Sequence, residues 1–72
     1  MINREKLAAE AEAAGLVVER VRTRIRIRKS PKGVGVDIWE DGVATRCDVS
    51  LELATSIRTA KAVRQILGLP LK

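Results

Sequence analysis

Apolar and polar residues change their period several times along this chain, and each change marks an element. From Arg4 to Ala14 the residues are strong helix formers, with Leu7, Ala11 and Ala14 on one face and Ala8 beside them. Asn3 suits the N-cap, Glu5 the first turn, and Gly15 the left-handed residue that ends a helix. From Arg20 to Arg28 the period becomes two. Val21, Thr23, Ile25 and Ile27 alternate with Arg20, Arg22, Arg24, Arg26 and Arg28. A strand sends neighbouring side chains to opposite faces, so this run predicts a half-buried strand with an arginine ladder on its open side. Leu16 and Val18 share parity with the arginines, which calls for a bulge or a strand start near residues 18 to 20.

Lys29 to Gly33 is a loop by its Pro and Gly. Val34 to Trp39 and Val43 to Val49 alternate as two further strands, and Asp41-Gly42 between them reads as a two-residue hairpin turn. That turn sets Trp39 opposite Ala44, Asp37 opposite Arg46, and Val36 opposite Cys47. In one register of the first two strands, Arg24 faces Asp37 and Arg22 faces Trp39. Ser50 suits the N-cap of a second helix whose apolar stripe is Leu53, Ile57, Ala60, Val63 and Leu67, ended by Gly68 and Pro70. The expected fold class is α+β in the order α-β-β-β-α. It is a three-stranded antiparallel meander with two helices on one face and an open basic face.

Composition sharpens this picture. Seventy-two residues make one small domain, 1–72. With no Phe, no Tyr and one Trp, the core must be aliphatic. The net charge of +5 favours anionic partners: nucleic acid, an acidic protein surface or a membrane surface. One Cys and no His exclude a Cys/His zinc site within one chain, and one Cys excludes an internal disulfide. No apolar run reaches the ~20 residues of a membrane span, and no secretory core is evident, so no membrane partner and a cytoplasmic location are expected. There is no paired carboxylate in an evident pocket, no activated nucleophile and no phosphate-cradling glycine loop, so neither an enzyme nor a cofactor is expected.

The candidate site is the open sheet face. Arg22, Arg24, Arg26 and Arg28, extended by Lys29 and Lys32 in the loop and by Arg46 in the third strand, would meet phosphates or base edges. Trp39 would stack or wedge, and Gly35 would admit a ligand close to the central strand. The same face could instead dock on an acidic protein, or the first strand's edge could pair with another strand, in a homodimer or a complex. Equally, the arginines could simply keep an open sheet soluble, with Asp37 bracketed by two of them and Arg22 lying over Trp39. The flank of Arg58, Lys61 and Arg64 reads as a solvated helix side, and Cys47 as a small buried hydrophobe.

Two families share parts of this layout. Residues 24–67 resemble the arm-type DNA-binding domain at the N-terminus of tyrosine recombinases. The resemblance rests on the basic first strand, the Lys32-Gly33 turn, Ile38-Trp39, Asp41-Gly42, Arg46 and a polar N-cap opening the helix. It implies a three-stranded sheet that enters the major groove, and it favours DNA over RNA. The whole element order is also similar to a double-stranded RNA-binding domain. That family binds through its first helix, its first strand loop and a lysine cluster opening its last helix. Here Leu51-Glu52-Leu53-Ala54 carries no lysine, and the loop from Lys29 to Gly33 lacks that family's Gly-Pro-x-His.

Overall fold

A computed structural model describes residues 2–50 and 52–70. Leu51, in the expected opening of the second helix, lies outside them. The element order is α1 (Arg4–Ala13), β1 (Val17–Arg20), β2 (Arg24–Arg28), β3 (Gly35–Trp39), β4 (Ala44–Arg46) and α2 (Ala60–Leu67). The fold is α+β, with four antiparallel strands in the order β1-β2-β3-β4.

The expected three-stranded meander is therefore short by one strand. The arginine run does not form one strand but folds back on itself. Val21 N–H donates to Arg24 C=O at 3.0 Å, leaving Arg22 and Thr23 as a two-residue turn. Val18 then pairs with Ile27 and Glu19 with Arg26. The reason is burial. A continuous strand would have set Leu16 and Val18 among the arginines, whereas the fold-back packs both against the core. No bulge is needed, because the turn itself inverts the parity.

The second hairpin is longer by one residue than Asp41-Gly42 suggests. Trp39 N–H donates to Val43 C=O, Gly42 N–H donates to Trp39 C=O, and Gly42 has φ +80°. This is a three-residue loop with a left-handed glycine at its end. The slip of one residue flips every side chain of β4. Ile38 now faces Ala44, Asp37 faces Thr45 and Val36 faces Arg46. Ala44 goes into the core, and Cys47 goes to the other face.

The first two expected strands also pair in a different register. Arg24 faces Trp39, Arg26 faces Asp37 and Ile27 faces Val36. The shift from the expected register is two residues, which keeps each side chain on its face and changes only its neighbour.

Of the expected second helix only the last two turns form. Its N-cap is Thr59, whose Oγ1 accepts from Ala62 N–H, and not Ser50. Ser50 C=O accepts instead from Leu53 and Ala54 N–H in an isolated turn, and Leu53 is exposed. Ile57 is buried, but as an extended residue: it exchanges both backbone hydrogen bonds with Ala44 at 2.7 and 2.8 Å. This seals the outer edge of β4. Gly68 ends α2 with φ +73°.

Helix α1 forms as expected, with Asn3 accepting from Lys6 N–H and Gly15 left-handed at φ +83°. Leu7, Ala8 and Ala11 face the sheet, whereas Ala14, expected on the same face, is the exposed C-cap. Both helices cover one sheet face, α1 over β1 and β2 and α2 over β3. One aliphatic cluster results, centred on Leu7, Ile25, Ile27, Val36, Ile38, Val63 and Leu67.

Candidate nucleic-acid interface

Strand alternation decides which side chains reach the uncovered face. From β2 they are Arg24, Arg26 and Arg28. From β3 they are Gly35, Asp37 and Trp39, with Thr45 and Cys47 from the β4 side and Glu19 from β1. The arginine ladder thus has three rungs. Arg20 lies on the opposite, helix-covered face, where it is held by Glu5 at 3.2 Å and Glu12 at 3.0 Å. Its hydrogen bonds to Glu12 and Glu5 push its pKa further up, and the same bond to Arg20 holds Glu12 below its ordinary value. Glu12 thereby ties α1 to β1, and Glu10, which binds Arg64 at 2.9 Å, ties α1 to α2.

The ladder is organised around Asp37, whose side chain is only 8% exposed. Arg26 donates to both of its oxygens, at 2.7 and 3.1 Å. That fork raises the Arg26 pKa, against the cost of its partial desolvation. Arg24 Nε lies 3.6 Å from the same carboxylate, too far for a hydrogen bond, and has no hydrogen-bond partner among the described residues. The Arg24 guanidinium sits over the Trp39 ring, 5.3 Å from its centre. Arg24, not Arg22, makes the cation–π pair. Trp39 is fixed in turn by donating from Nε1 to Thr45 Oγ1 at 3.0 Å.

Arg28 crosses Gly35 and donates to Pro31 C=O at 2.8 Å. A Cβ at Gly35 would meet the Arg28 stem, Ile27 C=O and Cys47 Sγ within 2.8 Å. The space above Gly35 thus belongs to the protein's own side chains and does not admit a ligand. Cys47 is half-buried at this point and is not part of the core.

Arg46, the last residue of β4, lies opposite Val36 and not opposite Asp37. Asp48 grips it through both oxygens. The fork raises the Arg46 pKa and holds Asp48 below its ordinary value. Arg46 borders a shallow cleft of about 250 Å³ together with Arg24, Arg26, Asp37, Trp39, Cys47 and Val49.

Of the expected site residues, the structure gathers Arg24, Arg26, Trp39 and Arg46 around this cleft, with Arg28 next along β2. Arg22 is exposed in the β1–β2 turn and Lys32 in the β2–β3 loop, at opposite ends of β2. Lys29 leaves the site. It follows Ile25 and Ile27 on the helix side, and its Cε and Nζ lie against the Gly68 C-cap of α2. A cation there complements the negative end of the helix dipole. Sequence reasoning missed Glu19, Thr45, Cys47 and Val49 as neighbours of the face. The turn at Arg22-Thr23 and the one-residue slip in β4 decide all four.

Among the described residues no group of His, Cys, Asp and Glu could hold a metal ion, and no helix is long and apolar enough to cross a membrane. The chain matches no family model, no curated protein and no solved structure. The four-stranded sheet differs from the three-stranded layout of both families that the sequence resembles.

Proposed function

We propose that this protein is a small non-enzymatic nucleic-acid-binding module that uses its uncovered sheet face. One observation carries the reading: Arg24, Arg26 and Arg28 line one uncovered face, and the Arg24 guanidinium lies over the Trp39 ring. A guanidinium held over an indole keeps its outer donors near the surface, where a base or a phosphate can meet them. The six cations of this face and its ends (Arg22, Arg24, Arg26, Arg28, Lys32 and Arg46) stand against five carboxylates, Glu19, Asp37 and Asp48 beside the face and Glu40 and Asp41 in the loop at its end.

The pairing divides their roles. Arg26 and Arg46 spend their forks on Asp37 and Asp48, so they shape the surface. Arg24 and Arg28, with Arg22 and Lys32 at the two ends of β2, are the phosphate contacts. The preference for duplex DNA over RNA rests on the sequence resemblance alone, because the four-stranded sheet does not share the arm-type layout.

A second reading has its own support. Carboxylates already occupy two of the arginine forks, and Val21 and Val49 are exposed beside the face, at 44% and 38%. The exposed valines suit a protein partner, and in the two forks arginines of this surface already bind carboxylates.

Fluorescence anisotropy of labelled duplex DNA, duplex RNA and single strands, at low and physiological salt, tests the proposal. Binding that weakens steeply as salt rises is expected, because each neutralised phosphate releases counterions. Replacing Arg22 and Lys32 together by Ala should reduce that salt slope by about 2 for duplex DNA. Absence of binding at low salt, or affinity flat in salt, would remove the nucleic-acid reading in favour of a protein partner.

A further inference from the structure

The two edges of the sheet are treated differently. On β4, Ala44 points its backbone groups outward, and Ile57 takes both of them. On β1 the pairing with β2 uses the backbone groups of Val17, Glu19 and Val21, which leaves those of Val18 and Arg20 pointing outward. Neither residue's outward groups have a partner among the described residues. The edge has no proline and no bulge, and the Arg20 side chain is drawn away to Glu5 and Glu12. On its helix side, Leu16 and Val18 are packed against the core yet only partly covered. An unsealed edge and an unfinished core thus coincide on one strand.

We propose that β1 pairs antiparallel with β1 of a second copy of this chain about a two-fold axis at Val18. In this register Val18 lies opposite its own counterpart and exchanges both backbone hydrogen bonds with it. Each Arg20 N–H reaches the C=O of Leu16 in the other copy. The Leu16 N–H is already given to Ala11 C=O, at 2.9 Å, and takes no part. Glu19 lies opposite Val17. An axis at Glu19 would oppose two carboxylates, and an axis at Arg20 two guanidinium groups, so charge selects Val18. Leu16 and Val18 of both copies then close over one another and extend the core across the axis. A two-fold normal to the sheet sets both arginine faces on the same side and makes one continuous eight-stranded sheet, counting four strands from each copy.

This proposal does not depend on nucleic-acid binding, and its salt dependence has the opposite sign. Each copy carries +5, so added salt screens repulsion between copies and strengthens the dimer. Sedimentation equilibrium of the full chain over a concentration series is the test. The molar mass should rise from 7.9 kDa toward twice that value, at lower concentration in higher salt. Val18→Pro removes an outward donor that β2 does not use, and it should stay monomeric with unchanged circular dichroism. In a Cys47→Ser background, Val18→Cys should form an interchain disulfide under oxidising conditions, because directly opposed residues sit at bridging distance. Glu19→Cys in the same background should not. If Val18→Pro fails to fold, the two cysteine variants decide. A monomer at every concentration, dimerisation of a folded Val18→Pro variant, or readier crosslinking of the Glu19→Cys variant than of the Val18→Cys variant would overturn the proposal.

Discussion

At the scale of single residues, Gly35 and Asp37 set the form of the basic face. Gly35 is needed because Arg28 and Cys47 already fill the volume a Cβ would take. Gly35→Ala should therefore destabilise the protein by about 1–3 kcal/mol, measured by urea denaturation, as overpacking does elsewhere. Sequence pattern alone cannot give this. It shows a glycine in a strand, but the identity of what crosses it depends on a register two residues from the expected one and on the one-residue slip in β4. Asp37 was legible as a partner of arginines, but its main partner is Arg26, and Arg24 is the one on Trp39.

Acid sensitivity also belongs at this scale. Glu12 is held below its ordinary value of 4.5 mainly by its hydrogen bond from Arg20, and Asp48 is held below its own by the fork from Arg46. A lowered pKa in the folded state means the unfolded chain binds these protons more readily. The stabilisation is whole above the ordinary values and is lost as pH falls through the folded ones. Urea midpoints should fall as the pH drops below about 4. Glu12→Gln and Asp48→Asn should each flatten that fall, and an unchanged slope in both variants would contradict the assignment.

At the scale of elements, α1 and the presence of β2, β3 and β4 were legible because caps and period agree there, while the registers were not and the faces of β4 are reversed. Two elements were not legible. The arginine run keeps a perfect period of two through Arg20 to Arg28, so nothing within it marks the turn at Arg22-Thr23. That turn contains no glycine, and among the described residues no non-glycine has a positive φ. The only signal was the reversed parity of Leu16 and Val18. In the second helix, a helical apolar stripe runs through Leu53 and Ile57, yet Ile57 is worth more as the backbone partner that seals Ala44 than as another helical turn. The Ser50 and Thr59 caps distinguish the two accounts. Thr59→Ala should cost about 1 kcal/mol and Ser50→Ala less than about 0.5, both measured by thermal or urea unfolding. A larger loss at Ser50 would restore the longer helix.

At the scale of the whole molecule, the fold separates two basic surfaces. One is the uncovered sheet face around Arg24 and Trp39. The other is the helix side, where Lys29, Arg58 and Lys61 are exposed and Arg64 is held by Glu10. The charge alone could not choose between them. What distinguishes them is that Arg24 and Arg28 on the sheet side are held by Trp39 and by Pro31 C=O without a carboxylate fork, whereas the held arginines of the helix side, Arg20 and Arg64, are paired with Glu5, Glu12 and Glu10, and Arg58 and Lys61 are exposed. Held donors lose less freedom on binding, which favours the sheet face.

The most direct test of this claim is a nitrogen-15 correlation spectrum of the protein titrated with duplex DNA, following the Trp39 indole N–H and the arginine Nε–H signals. On binding, Trp39, Arg24 and Arg28, with the backbone of Arg22 and Lys32, should shift progressively while α2 stays still. Shifts confined to Arg58, Lys61 and the backbone of α2, with the Trp39 indole unmoved, would place the nucleic acid on the helix side and contradict it.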